Sequence, residues 1–495
     1  MSTTTANGAP SHASTLDARL DLFVKTTREV GVLGVDLLSD PGNETLFEMI
    51  DKSWVVDPLD TVKILFNWRD CRGGKGDYTG FIVAMAYVAS KYGAWFVANF
   101  KVIPEYGSWL DLVKLWHFLG PENKGLVMGY LVEKLEADFE ILAGEEEDKK
   151  SSISLLAKWL PSENSKWDRY GGKDRFVICL CKQLRGKASS SWVQGHVIKT
   201  YRKVYIAPLR AHLQLVESKL CAKKFDEIKY ECVPSVAMKK YRKAFTRNDV
   251  DGFALYLEQV KKGEKKINAS QVYPHDLVRH YLNGGDLDDV IEAQWKVLKL
   301  SVEATKAFDQ SICVCDVSGS MSGTPMEVAI ALGLLGLHND RVVTFSANPT
   351  LHVVDSSTSL QAQVKSMVRM EWGMNTNLEK TMDLVMGLKE PIKRVYIFSD
   401  MQFDVAIGQP GATLFTNIKA KYARAELQMP QIVFWNLNGS TKDFPVTSNE
   451  NGVVLLSGYS PALLSALVDG DDISPMNMLL KVIRGVRYER IVAAV

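Results

Sequence analysis

The stretch ICVCDVSGSM, residues 312–321, decides the fold of the second half of the chain. Its first four residues are apolar, as in a buried strand, and Asp316 follows them directly. Because ligands of open α/β sheets bind at the carboxyl ends of the strands, this aspartate lies where a binding site is expected. Gly319 allows the following turn to be tight. We therefore predict a strand that carries Asp316, Ser318 and Ser320 to the binding edge of a sheet.

Outward from this stretch, short apolar runs alternate with helical segments. The predicted strands are Ile312–Cys315, Arg341–Phe345, Arg394–Ser399, Gln431–Trp435 and Gly452–Leu455. The predicted helices are Pro325–His338, Leu378–Leu388 and Leu414–Ala425. This alternation is typical of an α/β doubly wound, Rossmann-like parallel sheet, and we assign residues 305–495 to such a domain.

Two further segments bring oxygen atoms to the same edge of the sheet. Thr376 precedes the helix predicted at 378–388, and Asp400 follows the strand predicted at 394–399. Carboxylates and hydroxyls are hard ligands, which suit Mg²⁺ or Mn²⁺ better than Zn²⁺. The predicted metal ligands are Asp316, Ser318, Ser320, Thr376 and Asp400. The alternative is that the two aspartates only cap the helices that follow them.

Residues 15–304 have a helical pattern. Apolar residues recur there at intervals of three and four, and turn signals separate many short segments. Antiparallel helix pairs stacked as an α-solenoid would bury such faces, so we predict an α-helical-repeat domain. Residues 1–14 are small and polar and contain proline, and we expect a disordered tail there.

The segments that contain Asp316, Thr376 and Asp400 resemble, in order and context, the metal-ion-dependent adhesion site (MIDAS) of von Willebrand factor A (vWA) domains. All five ligand positions of that family carry a matching residue; the departure is Asn375, where many relatives have glycine. The resemblance implies a Mg²⁺ or Mn²⁺ site whose open coordination position receives an acidic group of a protein partner. It implies recognition more than catalysis.

A long helical region followed by a vWA domain also resembles the TROVE-module family of the Ro autoantigen. It is more similar still to an uncharacterised vWA family of plants and large DNA viruses. The segments that carry the resemblance are WRDCRGGKG (68–76), PEYGSW (104–109), VPSVAMKKY (233–241) and YPHD (273–276). In the TROVE family the helical repeats form a ring that the A domain closes, and RNA binds the basic outer surface. The resemblance therefore implies a ribonucleoprotein component that binds structured or single-stranded RNA.

Basic residues concentrate at positions 219–266, where thirteen Lys and Arg residues stand against seven Asp and Glu residues. Tyr241, Phe245 and Tyr256 are interleaved there, and phosphate neutralisation with aromatic stacking is how proteins hold single strands. The glycines and cations of residues 69–76 form a second candidate phosphate cradle. The predicted nucleic-acid-binding residues are Lys239, Lys240, Arg242, Lys243, Arg247, Arg69, Arg72 and Lys75. The alternatives are a solvated helix face with Tyr241 and Phe245 in its core stripe, and a plain turn at 69–76.

Composition excludes several classes of protein. The 59 Lys and Arg residues almost balance the 58 Asp and Glu residues, so any nucleic-acid surface must be local. No apolar run is long enough for a membrane helix, and the N-terminus lacks the pattern of a signal peptide. Seven cysteines without a disulfide pattern indicate a reducing compartment. We expect a cytoplasmic protein without a membrane partner.

Two functions of different classes fit these features. The first is a divalent-cation-dependent binding protein that is an RNA-binding ribonucleoprotein component. The second is a protein–protein interaction scaffold or structural assembly protein without RNA binding. A Mg²⁺-dependent hydrolase is a third class, but the sequence places no histidine or cysteine near the predicted ligands as a base or nucleophile. We therefore expect no enzyme activity.

Overall fold

The computed structural model describes residues 2–4, 10–27, 37–170, 174–185, 194–346, 348–370, 377–388, 390–403, 414–439, 443–467 and 473–494. Residues 18–303 are mostly helical, as the sequence predicts, and a mixed sheet of six strands follows them where a parallel sheet of five was predicted. Among the described residues no helix combines the length and the apolar character needed to cross a membrane.

The helices ahead of the large sheet are mostly short. They are α1 (Ala18–Lys25), α2 (Glu44–Val56), α3 (Pro58–Arg69), α4 (Thr79–Lys91), α5 (Gly93–Asn99), α6 (Ile103–Tyr106), α7 (Trp109–Trp116), α8 (Pro121–Ala143), α9 (Glu147–Lys150), α10 (Leu156–Trp159), α11 (Phe176–Arg185), α12 (Gln194–Thr200), α13 (Ala207–His212), α14 (Val216–Cys221), α15 (Ser235–Asn248), α16 (Val250–Lys261), α17 (Pro274–Leu282) and α18 (Asp289–Glu303). A π-helical segment, Tyr201–Ile206, joins α12 to α13. The stacking of these helices as a solenoid stays a prediction.

The large sheet has the strand order β5-β4-β3-β6-β7-β8. Its strands are β3 (Ser311–Asp316), β4 (Arg341–Phe345), β5 (Leu351–Val353), β6 (Arg394–Ser399), β7 (Gln431–Asn436) and β8 (Val453–Ser457), and they follow β1 (Ser2–Thr4) and β2 (Pro10–His12), which pair within the segment expected to be a tail. Neighbouring strands of the large sheet are parallel except β5, which pairs antiparallel with β4.

The helices of this part are α19 (Thr324–Leu335), α20 (Leu360–Val368), α21 (Leu378–Gly387), α22 (Leu414–Arg424) and α23 (Pro475–Ile483). The five predicted strands and three predicted helices are confirmed with small differences at their ends, whereas β5, α20 and α23 were not predicted.

Helix α19 lies against β3 at a separation that only glycine allows. A Cβ atom at Gly333 would be 2.3 Å from the Sγ of Cys315, and one at Gly336 would be 2.5 Å from the Sγ of Cys313. Every residue of β3 is buried, so both cysteines are core thiols. This close packing fixes the carboxyl-terminal end of α19 against β3.

The chain divides into two compact units. The sheet unit contains Met1–Val30, Glu48–Asp77 and Tyr230–Glu489, and the helical unit contains Gly31–Phe47, Tyr78–Lys229 and Arg490–Val495. Helices α1 and α3, which the sequence analysis assigns to the helical-repeat domain, thus belong to the same compact unit as the large sheet. The domain boundary between residues 304 and 305 stays a prediction.

In the helical unit, α4 supplies the centre of the core. Phe81, Ile82 and Met85 are fully buried, and α4 packs against α5 and α7. Helix α7 begins with a capping box, in which the backbone N–H of Ser108 donates to the Asp111 carboxylate at 2.8 Å.

In the sheet unit, the buried carboxylate of Asp60 on α3 joins two distant arginines. Arg19 of α1 donates to it at 2.8 Å, and Arg484, just after α23, donates at 2.7 Å. The first and last helices of the unit are therefore held through one carboxylate.

A second buried carboxylate, that of Asp70 after α3, makes a similar connection. It accepts two hydrogen bonds from Arg487, both 2.9 Å long, and one from the Tyr488 hydroxyl at 3.1 Å. Asn67 in turn donates to the Tyr488 oxygen at 2.9 Å. The bidentate geometry is the strongest form of an arginine–carboxylate pair.

The side chain of Lys75 is also completely buried in the sheet unit. Its nitrogen donates to the carbonyl oxygens of Phe23 and Thr26 at the end of α1, and to the Ser457 hydroxyl at the end of β8. Burial lowers the pKa of Lys75 well below its usual value. This lysine therefore holds the carboxyl end of α1 against the carboxyl end of β8.

We predict that Asp70→Ala lowers the free energy of unfolding by about 2 kcal/mol, because the buried Tyr488 hydroxyl loses an acceptor and the Arg487 guanidinium, which is 40% exposed, loses its bidentate partner. Urea denaturation followed by tryptophan fluorescence measures the change. The matched control is Glu105→Ala, which removes the exposed ion pair to Arg490 and should cost less than about 1 kcal/mol. Equal losses in the two variants would contradict the role assigned to Asp70.

Candidate metal centre and basic helix

The parallel pairing of β3 with β6 brings two carboxylates to one edge of the sheet. Cys315 is opposite Phe398 in the register, so Asp316 and Asp400 both follow the last paired residues of these neighbouring strands. Asp316 is fully buried and Asp400 is 2% exposed. The Ser399 hydroxyl donates to Oδ2 of Asp316 at 2.6 Å.

The two serines of the loop after β3 link these carboxylates. The backbone N–H of Ser318 donates to Oδ1 of Asp316 at 2.9 Å, and the hydroxyls of Ser318 and Ser320 are 3.1 Å apart. Ser320 is also hydrogen-bonded to the Asp400 carboxylate. Four of the five predicted ligands therefore form one hydrogen-bonded chain. The fifth, Thr376, lies outside the described residues.

The two carboxylates of this hydrogen-bonded group, Asp316 and Asp400, are buried close together, and the pKa of both is raised. Burial raises the pKa of Asp316 to about 6 against the hydrogen bond from Ser399, and the charge of Asp400 adds to the rise. Burial also raises the pKa of Asp400, whereas the hydrogen bond with Ser320 acts in the opposite direction. Raised values mean that the negative charges are only partly stabilised by their surroundings.

The residues present fit a hard cation. Within the described part of the chain, Asp316 forms no ion pair with a lysine or arginine, so its buried charge has no protein counterion there. The described residues hold no group of three or more His, Cys, Asp or Glu side chains placed for a metal ion. The predicted site contains two carboxylates, and its other ligands are hydroxyls, a donor set that suits Mg²⁺ or Mn²⁺.

Ser399 is a functional candidate that the sequence analysis did not include. It precedes Asp400, donates to Asp316 and accepts a hydrogen bond from the backbone N–H of Met401 at 3.1 Å. A hydroxyl residue at the end of the strand was the available signal, but its partner lies on another strand. It orients a predicted ligand and is therefore a positioning residue.

The predicted basic patch lies mostly on α15, where ion pairs already neutralise two members. Lys239 is paired with Asp276 at 3.4 Å, and burial lowers the pKa of Lys239. Arg242 donates to Asp288 at 2.5 Å. These two cations are therefore less available to phosphate than their sequence suggests.

Three other members of the patch remain on an exposed face of α15. Lys240, Lys243 and Arg247 are exposed and form no ion pair with any acidic residue in the described part of the chain. Their spacing of three and four residues places them on one side of the helix. We refer to these three residues as the basic face.

The glycine-rich turn after α3 does not present its cations as predicted. Arg69 is buried, and Lys75 is completely buried with its nitrogen bonded to α1 and β8. The prediction that these two residues contact nucleic acid is wrong, because their side chains support the core. Arg72 is exposed, and its role stays a prediction. A Cβ atom at Gly74 would be 2.1 Å from the carbonyl oxygen of Asn67, so the turn is packed onto α3.

Two of the three aromatic residues interleaved with the patch belong to the core, whereas Tyr241 is only half-buried. Phe245 and Tyr256 are buried and pack with the rings of Tyr230 and Phe253. The alternative interpretation of Phe245 as part of a core stripe is therefore correct. These rings are not available for stacking on bases.

We predict that Ser399→Ala raises the Mg²⁺ concentration needed for half-maximal thermal stabilisation by about tenfold, because Asp316 loses the hydroxyl that orients it. Differential scanning fluorimetry at increasing MgCl₂ measures this midpoint. The control is Ser322→Ala, which removes an exposed hydroxyl from the loop after β3 and should leave the midpoint unchanged. An unchanged midpoint in Ser399→Ala would exclude the positioning role.

The chain resembles known proteins in sequence and in structure. Residues 310–484 match the model of a domain of unknown function, DUF7788. The crystal structure of the RO (RSR) protein of Deinococcus radiodurans is 13% identical, covers 92% of this chain and 100% of that chain, and superposes with a TM-score of 0.46. The uncharacterised protein L728 of Acanthamoeba polyphaga mimivirus is 32% identical over 523 residues, which are 97% of this chain and 86% of that protein. The model of another domain of unknown function, DUF2828, matches residues 5–124 and 125–306, more than half of the chain, and the chain therefore belongs to the DUF2828 family.

Proposed function

We propose that this protein is a divalent-cation-dependent binding protein. The ligands of the cation are Asp316, Ser318, Ser320 and Asp400, with Thr376 as the fifth. A bound Mg²⁺ or Mn²⁺ would supply a coordination position for a carboxylate oxygen of a protein partner. The observation that carries the proposal is the hydrogen-bonded chain that joins two buried carboxylates through two serines.

The charges of Asp316 and Asp400 also favour a bound cation, without reference to any family. Two carboxylates that share a buried place lose hydration and repel each other, and the raised pKa values of Asp316 and Asp400 reflect both effects. A buried charge needs a partner of opposite sign. Since the described residues give Asp316 no ion pair, the proposal takes that partner from solution, and oxygen donors select a hard cation.

Binding is favoured over hydrolysis by the residues around the site. No histidine, cysteine or lysine of the described chain is hydrogen-bonded to Asp316, Ser318 or Ser320. Hydrolysis would need a general base or an activated nucleophile beside the cation. The proposed role of the site is therefore recognition.

We predict that millimolar MgCl₂ or MnCl₂ raises the melting temperature and that Asp316→Asn abolishes the rise. A ligand that binds only the folded state stabilises by mass action, by about 2.7 kcal/mol at one hundred times its Kd. Asparagine keeps the shape of the side chain and removes its charge. Scanning fluorimetry with added metal and with EDTA measures the response.

The control for this prediction is Asp355→Asn, which removes an exposed carboxylate of the sheet unit. It should keep the full response to both metals. If the wild-type protein is folded and neither cation changes its melting temperature, the proposal is refuted. A response that survives in Asp316→Asn would place the cation elsewhere.

RNA binding by the basic face is the second candidate function. The observation that favours it is the set of three exposed cations on one side of α15 without ion pairs to described acidic residues. Phosphate contacts of this kind give affinity without sequence specificity. The protein would then be a ribonucleoprotein component, and the competing candidate is a protein scaffold that binds no RNA.

We predict that replacing Lys240, Lys243 and Arg247 together by Glu weakens binding of a labelled oligo(U) RNA at low salt and lowers the magnitude of the salt slope by about 2, since each lost phosphate contact on a single strand removes about 0.7. Fluorescence anisotropy of the full chain across a salt titration measures both. The metal response should be unchanged.

The matched control replaces the exposed residues Lys199, Arg202 and Lys203 by Glu, which changes the net charge equally in the helical unit. It should retain most of the affinity. Equal losses in both triple variants would show that net charge, and not the basic face, attracts the RNA. If the wild-type protein binds no RNA even at low salt, the scaffold candidate replaces this one.

A further inference from the structure

A groove runs beside the basic face in the sheet unit. It lies between α15, α16 and the turn that precedes α18, and its volume is about 560 Å³. Lys243 and Arg247 line one side, and the side chains of Val250 and Leu257 line the floor with Leu287. Neither the metal site nor Lys240 contributes to this groove.

The floor of the groove exposes apolar side chains that soluble proteins usually cover. Leu287 is 59% exposed and Val250 is 61% exposed, although both lie in one concave surface. Leu257 is half-buried between them and the core ring of Phe253. Single exposed apolar residues need no explanation, but a contiguous set in a concavity indicates a binding surface.

Some of the charged side chains around the groove form ion pairs with each other or with a neighbour, and others do not. Arg242 is neutralised by Asp288 at 2.5 Å, and Lys261 is neutralised by Asp289 at 2.9 Å. Glu258, the remaining acid of the rim, is paired with Lys262 at 2.6 Å. In the described chain this leaves Lys243 and Arg247 as the lining cations without an acidic partner. The groove therefore combines an apolar floor with one positive edge.

These features favour a peptide over a nucleic acid as the occupant. A single strand is held by stacking of its bases on exposed rings, and the rings of Phe245, Phe253 and Tyr256 are buried against one another. The groove floor offers aliphatic side chains instead. Apolar side chains and carboxylates on one short segment would match both the floor and the positive edge.

We propose that this groove binds a short amphipathic segment of a partner protein, with its leucine-like side chains on Val250, Leu257 and Leu287 and its Asp or Glu side chains against Lys243 and Arg247. The interaction is independent of the cation, because no predicted metal ligand lines the groove. It gives the protein a second docking surface whose partner is acidic and apolar.

Selection from a random peptide library tests the proposal. Peptides long enough for four helical turns are displayed on phage and selected on the full-length protein in EDTA, which removes any contribution of a bound cation. The selected peptides are synthesised with a fluorescent label, and their affinity is measured by anisotropy. We expect sequences in which Leu, Ile or Phe recur at helical spacing beside Asp or Glu.

Two matched pairs of variants locate the binding site. Leu287→Ser and the double change Lys243→Glu with Arg247→Glu should each weaken the selected peptides at least about tenfold. Leu255→Ser removes an apolar side chain that is 55% exposed on α16 but does not line the groove, and Lys240→Glu with Lys265→Glu reverses two exposed charges outside it. Both controls should bind the peptides like the wild type, and because all these side chains are exposed, the fold should be kept.

Three results would overturn the proposal. The first is that no peptide is enriched. The second is that the enriched peptides bind Leu287→Ser and Leu255→Ser equally. The third is that oligo(U) RNA, and no peptide, loses affinity in the Lys243 and Arg247 variant, which would assign the positive edge to nucleic acid.

Discussion

Parallel pairing of β3 with β6 forces two carboxylates into one buried place, and much of the sheet unit is arranged around that constraint. Asp316 is the last residue of β3 and Asp400 directly follows β6, so neither can turn towards solvent without disrupting the end of its strand. The hydroxyls of Ser318, Ser320 and Ser399 stabilise the carboxylates with hydrogen bonds but carry no positive charge. The buried carboxylate of Asp316 therefore has no counterion among the described residues.

The placement of Asp316 and Asp400 at neighbouring strand ends could be predicted because it depends on local patterns. A buried strand followed by Asp316 and alternating hydroxyls identifies both the strand and its binding edge, and the same holds for the strand before Asp400. The edge strand Leu351–Val353 escaped prediction because it has three residues and is only partly buried, so it carries no apolar run. The role of Ser399 was not predicted because it depends on which strands are neighbours, and the apolar pattern of the sequence does not give the order of the strands.

The basic patch was harder to predict for a related reason. A count of charges over residues 219–266 includes Lys239 and Arg242. It does not include the acidic residues that pair with them, Asp276 and Asp288, which come later in the sequence. Lys75 is the extreme case, since its neighbours in sequence are glycines and an arginine, whereas its neighbours in space are backbone carbonyls. Net charge in a sequence window therefore does not give the charge that a partner can use, because ion pairs to residues outside the window change it.

The carboxylates of Asp60 and Asp70 have a consequence for the order in which the chain can fold during synthesis. Both residues leave the ribosome early, yet their partners Arg484 and Arg487 are translated more than four hundred residues later. Until then Asp70 lacks its arginine, Asp60 is paired with Arg19 alone, and Lys75 lacks its contact with Ser457. The sheet unit therefore closes only after translation has passed its last strand, whereas the segment Tyr78–Lys229, within which the helical unit builds most of its core, can start to pack while the ribosome is still at work.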